Sequence, residues 1–378
     1  MIEINKKSNC CGCEACVNIC PQKCITMVED EEGFRYPVID KEKCINCGLC
    51  EKNCQYIEKI NKHNNAKVYA CTIKDTINLK HSTTVALFFE LSKVVILDGG
   101  IVYGAVYDGN MEVKHSVATN INDLEKMRSS KYVQSKIGNI YSDVKKYLNN
   151  NKTVLFSGTP CQIAGLYKFL KKDYENLITI DVICHSVPSP KVYKDYIQNI
   201  EKKYNSKVTN INFRKKEKGW LNPYTEINFE DNNINYLKPS IQDEWYRIFI
   251  SHLTTRPSCN NCLYTSIDRV SDITIGDFWG IDKIKPEIKF DNGVGKVFLN
   301  TLKGESLFNK VKNIYDIYEM NMKDAIRPNL IHPPEKHPLK DKYFKYYKKY
   351  GYTRSYKKFV KENYYKKLLR KIKRKIIR

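Results

Sequence analysis

Long apolar runs are missing from this 378-residue chain. No stretch of about 18 apolar residues occurs, so no segment reads as a membrane-spanning helix. The opening residues, Met1 to Lys7, have no apolar stretch behind their charges. No secretory signal is read there, and a cytosolic location is expected. Common catalytic fingerprints are missing too: there is no G-x-G-x-x-G, no Walker loop, no H-E-x-x-H and no G-x-S-x-G. A standard dinucleotide, P-loop, zincin or hydrolase role is therefore without support. Histidine is scarce, and His81, His185 and His252 stand apart from one another, as ordinary surface or core positions do. Asn151-Lys152-Thr153 matches a glycosylation sequon, but a cytosolic chain is not modified there.

Cysteine, by contrast, is abundant and clustered. Ten of the 15 cysteines fall between Cys10 and Cys54; Cys71, Cys161, Cys184, Cys259 and Cys262 lie beyond. A reducing cytosol keeps thiols free, which leaves metal binding or catalysis. Cys10, Cys13, Cys16 and Cys20, followed by Pro21, make the bacterial ferredoxin run C-x2-C-x2-C-x3-C-P. Cys44, Cys47, Cys50 and Cys54 repeat the spacing, with Gln55 in place of the proline. Three thiolates on one tight loop reach three corners of a four-iron cubane, and the fourth cysteine of each run serves the other cluster. The expected sets are thus Cys10, Cys13, Cys16 and Cys54 for one [4Fe-4S] cluster, and Cys44, Cys47, Cys50 and Cys20 for the other. Zinc knuckles are the alternative, but they pair C-x2-C units across a spacer rather than repeat a four-cysteine run. Cys11 and Cys24 read as bystanders, Cys24 being the one that can substitute for Cys20. Between the runs, β-prone Ile25 to Val28 and Phe34 to Ile39 flank an acidic glycine turn, which reads as a hairpin. So small a unit buries too little to fold alone, and bound clusters supply part of its stability.

After a polar stretch up to Lys67, strand and helix patterns alternate. Strands are expected at Val68 to Ile73, Ile101 to Tyr107, Thr153 to Phe156 and Leu177 to Ile183. Helices are expected at Val85 to Leu97, Asn139 to Leu148 and Gln162 to Leu170. That alternation predicts a mixed α/β body. The fold class is therefore an α/β (α+β) body with a small ferredoxin-like domain before it and a basic helical tail after it. The divisions are 1–58 for the two-cluster domain, 59–67 for a linker, 68–334 for the body and 335–378 for the tail.

Several body segments carry a more specific likeness. They are Ser130-Lys131-Tyr132-Val133-Gln134-Ser135, Phe156-Ser157-Gly158-Thr159-Pro160-Cys161 and Cys184-His185-Ser186-Val187-Pro188. Further along come Arg256-Pro257-Ser258-Cys259-Asn260-Asn261-Cys262, Arg269, Ser271-Asp272, Gly276-Asp277-Phe278-Trp279-Gly280, Asp291-Asn292-Gly293 and Asn300-Thr301-Leu302-Lys303-Gly304. In that order they resemble the deazaflavin (coenzyme F-420) hydrogenase/dehydrogenase beta-subunit family. The resemblance implies an iron–sulfur and flavin (FAD) oxidoreductase whose donor or acceptor is a redox partner protein or a diffusible carrier. It also favours Cys161, Cys184, Cys259 and Cys262 as ligands of a third [4Fe-4S] cluster. On residue types alone, a zinc-binding or idle C-x2-C pair with two buried core cysteines is as good a reading. A family flavin loop of Ser-Ser-Gly-Gly type matches Thr83-Thr84-Val85-Ala86, so two glycines that admit close backbone approach are replaced. Ser186 likewise replaces a glycine. The flavin contacts implied are Thr83, Thr84, Lys131, Gln134, Gly158, Thr159, Asp277 and Trp279; each also reads as a structural turn or core residue. A flavin-free electron-transfer subunit serving a partner enzyme, such as one of polysaccharide synthesis, is the rival reading.

Charge is concentrated at the end. Residues 335–378 hold 18 Lys+Arg against 3 Asp+Glu, while the whole chain carries +22. Val360, Tyr364, Leu368, Ile372 and Ile376 recur at helical spacing among these cations. That makes a basic amphipathic helix suited to the anionic inner face of a membrane or to an acidic partner. A helix packing one stripe on its own body fits the same pattern. The body signatures argue against a nucleic-acid binder.

Overall fold

The computed structural model describes residues 1–74, 82–288 and 292–361. His81, Asp291 and the tail positions Tyr364, Leu368, Ile372 and Ile376 lie outside them.

The N-terminal unit is a two-stranded hairpin, β1 (Ile25–Glu29) and β2 (Arg35–Ile39), flanked by two short helices, Ala15–Ile19 and Leu49–Lys52. Asp30 closes the hairpin turn by accepting from the amides of Glu32 and Phe34. The helices begin at equivalent places in the two cysteine runs, and both are entered through a left-handed residue. Gly48 adopts it at no steric cost, but its counterpart is Glu14, at φ 63°. The unit's own core holds little beyond Ile2, Ile25 and the cysteines themselves. This fits a domain completed by its metals.

The body is built on one eight-stranded sheet. In chain order its strands are β3 (Lys67–Ile73), β4 (Ile101–Tyr107), β5 (Val113–Ala118), β6 (Val154–Gly158), β7 (Leu177–Val182), β11 (Ile273–Asp277), β12 (Gly295–Leu299) and β13 (Tyr315–Met320). Their spatial order is β13-β3-β12-β11-β7-β6-β4-β5. β4, β6, β7 and β11 are parallel neighbours, while β12, β13 and β5 run against the strands beside them. The central strands are buried on both faces, Val154-Leu155-Phe156 and all of β12 among them, as befits strands inside a sheet covered on both sides. Every strand and helix expected from the alternating pattern is present. The boundaries differ by one or two residues, except that Val85 and Ala86 stand outside the helix Leu87–Leu97.

Between β7 and β11 the chain adds a three-stranded antiparallel sheet: β8 (Val208–Lys215), β9 (Tyr224–Phe229) and β10 (Tyr236–Pro239). The described part of the basic tail packs there. It forms the helix Lys340–Tyr356, bent at Gly351, and one further π-helical turn, Lys357–Lys361. Tyr343, Tyr347, Tyr352, Tyr356 and Val360 are buried in one cluster with Tyr196, Trp245 and Phe213. Tyr347 donates to Asp195 at 2.5 Å and Tyr352 to Glu244 at 3.0 Å. The apolar stripe over these residues therefore rests on the protein's own body, and the lysines between take the outer face. Lys340 and Lys348 also reach back to Glu32 and Glu31 of the hairpin turn, at 2.7 and 3.3 Å. Among the described residues no helix is long and apolar enough to cross a membrane.

Tyr343 is fully buried, so truncating it leaves a ring-sized cavity. Tyr343→Ala is expected to lower stability by about 3 kcal/mol, read as a drop in denaturant midpoint at unchanged slope. A solvated tail would show no change.

Candidate functional site

The parallel strands β6, β7 and β11 end on one edge of the sheet, where α/β proteins bind ligands. Cys161 follows β6 in the first turn of the helix Pro160–Leu170, Cys184 follows β7, and Asp277 ends β11. Cys259 and Cys262 sit on the short 3-10 turn Pro257–Asn261 and its cap. The charges of Cys161, Cys184, Cys259 and Cys262 bear on one another, so the four thiols converge. Burial pushes the thiol of Cys259 up to about 12 and that of Cys184 well above the usual range. Such thiols stay neutral unless a metal displaces the proton.

The N-terminal thiols form two further groups. Cys16 feels Cys13, Cys10 and Cys54, so the last cysteine of the second run stands with the first three of the first run. Cys20 lines one cavity with Cys44, Cys47 and Cys50. Cys24 lines the same cavity, its sulfur 3.5 Å from that of Cys20. Cys47 is the exposed member. Among the described residues no three His, Cys, Asp or Glu side chains close to the distance of a single metal ion.

The first group docks directly on the body. A Cβ at Gly165, in the helix Pro160–Leu170, would lie 2.8 Å from Cys13 Cβ and 3.1 Å from Cys13 Sγ, so only glycine admits the approach. Gln55 is buried and donates to the Cys161 carbonyl at 2.9 Å, close enough to Cys13 to help hold its thiol down. The carbonyl of Cys11, also buried, accepts from Gln134 at 2.7 Å, and Cys11 lies close enough to Cys13 and Cys161 for each thiol to perturb it. Those contacts hold the Cys161 thiol down to about 7 while Cys11 itself is pushed well up. Arg256 is buried beside them. Its guanidinium donates to the carbonyls of Cys10 (2.9 Å) and Arg35 (2.8 Å) and to Gln134 Oε1 (3.1 Å), and stands 3.9 Å from Cys10 Sγ. Glu14 completes the joint, accepting from the amides of Ile137 and Gly138 and pairing with Arg35 at 2.7 Å. This explains why its left-handed backbone is kept. A cleft of about 290 Å³ remains between unit and body, lined by Gly12, Arg35, Gln134, Lys191, Tyr193 and Arg256 among others. It lies on the ferredoxin side of the joint, away from Asp277.

The flavin candidates divide. Lys131 Nζ donates to the carbonyls of Lys126, Arg128 and Ser129, and burial brings it down to about 7. Gln134 is engaged by Cys11 O and Arg256. Gly158 and Thr159 shape the capping box at the start of the helix that carries Cys161. These four serve the joint and its supports. Thr83 and Thr84 instead lie at the ligand-bearing edge, beside Gly295, which pairs with Asp277. Thr84, Val85 and Ala86 are all left-handed, at φ 49°, 48° and 60°. The loop thus keeps a glycine-type backbone without glycines, at roughly 1–2 kcal/mol per residue. Val85 turns its side chain inward against Gly295 and Leu87, and its carbonyl accepts from Tyr315. Its bulk therefore goes to the core. Asp277 pairs with Arg214 at 2.9 Å, and Trp279 stacks on Trp220 with ring centroids 4.6 Å apart.

Other resembling motifs are structural. Arg269 is buried, pairs with Asp181 at 2.9 Å and ties the turn after Cys262 to β7. Asp272 binds Thr179 and Thr301. Cys11, Glu14 and Arg256 had no assigned role in the sequence, although Glu14 at a glycine position was a readable signal. So was Gln55 at the proline position.

Residues 9–56 match the 4Fe-4S dicluster domain, and residues 151–324 match the C terminus of the coenzyme F420 hydrogenase/dehydrogenase beta subunit. Among curated proteins, NADH-quinone oxidoreductase subunit I 2 of Geobacter metallireducens is 40% identical over 55 residues, 13% of this chain and 42% of that protein. An uncharacterized polyferredoxin-like protein of Methanocaldococcus jannaschii is 34% identical over 61 residues, 14% of this chain and 36% of that protein. The chain thus spans less than half the length of either. Among solved structures, a chain of the F420-reducing [NiFe] hydrogenase complex from Methanosarcina barkeri aligns at TM-score 0.45 and 19% identity. The alignment covers 80% of this chain and 93% of that one.

Gly165→Ala forces Cys13 or Tyr141 aside. It is expected to cost about 1–3 kcal/mol of stability and to alter the electron paramagnetic resonance signal of the Cys13 cluster. The signal of the Cys47 cluster should stay as it was; equal disturbance of both would contradict the docking described.

Proposed function

On a chain that joins a 4Fe-4S dicluster domain to the C-terminal domain of the coenzyme F420 hydrogenase/dehydrogenase beta subunits, we propose an iron–sulfur oxidoreductase with three thiol sets in series. Cys20, Cys44, Cys47 and Cys50 hold the outer cluster, and Cys10, Cys13, Cys16 and Cys54 the middle one. Cys161, Cys184, Cys259 and Cys262 hold the third. Bound clusters supply single-electron steps, and an FAD at the sheet edge supplies the two-electron hydride step.

The observation that carries this reading is the seating of Cys13 against Gly165, with Gln55 donating to the Cys161 carbonyl at 2.9 Å, which sets the middle thiols against the body's own. Exposed Cys47 faces a redox partner protein or a diffusible carrier. Arg256 offsets negative charge at Cys10, and Gln55 fixes Cys161 relative to Cys13. Hydrogen bonds to ligand sulfurs tune a cluster's potential, so Arg256 at Cys10 and Thr159 at Cys161 favour electron residence at the joint. Beyond Cys184, Thr83 and Thr84 offer hydroxyls and backbone amides to a flavin, Trp279 offers a ring face, and Asp277 with Arg214 orients it.

A flavin-free transfer subunit is the second reading. The loss of both glycines at Val85 and Ala86 favours it, as does the engagement of Lys131 and Gln134 elsewhere. The lysine-rich outer face of the tail helix is the surface on which an acidic partner or an anionic membrane would sit.

Iron, zinc and flavin analysis of anaerobically purified protein tests the reading. About twelve irons per chain with one FAD is the expected result. Cys259→Ser should remove about four irons and leave about eight. Full iron without flavin, even after added FAD, selects the transfer subunit, and zinc in place of iron overturns both.

A further inference from the structure

Beside Asp277 two buried cationic donors have no partner. Lys216 Nζ and Arg214 Nε are both shielded from solvent, and neither makes a hydrogen bond among the described residues. Asp277 is the carboxylate whose charge acts on both, and it is already paired with Arg214 Nη2 at 2.9 Å. Two positive charges thus share one negative charge. Their surroundings are aromatic: the Arg214 guanidinium stands 4.9 Å from the Trp279 ring, Trp279 stacks on Trp220, and Arg214 Nη1 lies 3.5 Å from the Tyr132 hydroxyl. A buried ammonium without a counter-ion is costly, and among the described residues the carboxylate that bears on Lys216 is Asp277, already paired with Arg214. The position is the ligand-bearing edge of the sheet, where His185, next to Cys184, also feels Asp277 and Arg214.

We propose that Lys216 and Arg214 form an oxyanion site that takes a phosphate or carboxylate group of the molecule bound at this edge, with Trp279 flanking it. This rests on the reading of the edge as the redox site, and it specifies that the bound molecule is acidic. Arg214 is held in place by Asp277, so its Nε–H is fixed in direction, and Lys216 supplies the uncompensated charge. Burial brings Lys216 down to about 8, so it is mostly protonated at neutral pH. Anion affinity should weaken as pH rises past that value, with Arg214 still protonated.

The same chemistry can come from the phosphate of a flavin nucleotide or from an acidic substrate. Anaerobic, iron-loaded protein freed of any bound flavin would be titrated with inorganic phosphate, pyrophosphate, succinate, FMN and riboflavin, following tryptophan fluorescence and melting temperature. At least one anion is expected to bind and to raise the melting temperature. Lys216→Gln should weaken that binding at least tenfold, and Lys216→Arg should retain most of it. FMN binding much tighter than riboflavin assigns the site to a flavin phosphate. Pyrophosphate or succinate binding without FMN preference assigns it to a substrate. Lys216→Gln removes an unpaired buried charge, so it should fold and melt no lower than wild type without ligand. Its iron content and cluster signals should be unchanged, which separates this site from the relay. If no anion binds, or if Lys216→Gln binds as wild type does, the proposal is overturned.

Discussion

The close approach of Cys13 to Gly165 is the contact on which the rest of the molecule depends. The N-terminal unit has almost no core of its own, so its position is set by what it touches. Gly165 removes the side chain that would hold it off, and Gln55, Cys11, Glu14 and Arg256 then fasten it. These are short polar contacts in a desolvated joint, where each unmade hydrogen bond would cost about 1–3 kcal/mol. The joint is therefore specific in register, and its register aligns the thiol sets.

The sequence was most legible where chemistry demands fixed spacing. The two cysteine runs could be read because a cubane needs its thiolates at set offsets, and residues 9–56 match a 4Fe-4S dicluster domain. The sheet was legible from its alternating pattern. The joint was hidden because Cys13, Gly165 and Gln55 are far apart in sequence, and their meeting depends on how one domain sits on another. Cys11 looked like a bystander because its partners are one near and one distant thiol.

The flavin candidates show the opposite limit. Lys131 and Gln134 lie in segments that resemble a redox family, yet their polar atoms hold backbone carbonyls and a neighbouring guanidinium. A motif preserves whatever its residues do, including building a frame. The unabsorbed charge at Lys216 carried no sequence signal, since it is one lysine in a chain with 64 Lys+Arg. Only its burial distinguishes it.

The ion pairs from Lys340 and Lys348 to the hairpin turn at Glu31 and Glu32 join segments far apart in sequence, 317 residues for Glu31 and Lys348. On a ribosome adding about 5–20 residues per second, the two cysteine runs emerge roughly 15–60 s before Lys340 does. During that interval the thiols that end up in the joint face water and whatever delivers iron. The tail is then less an appendage than a latch, closing over a metal unit that has already had its chance to load.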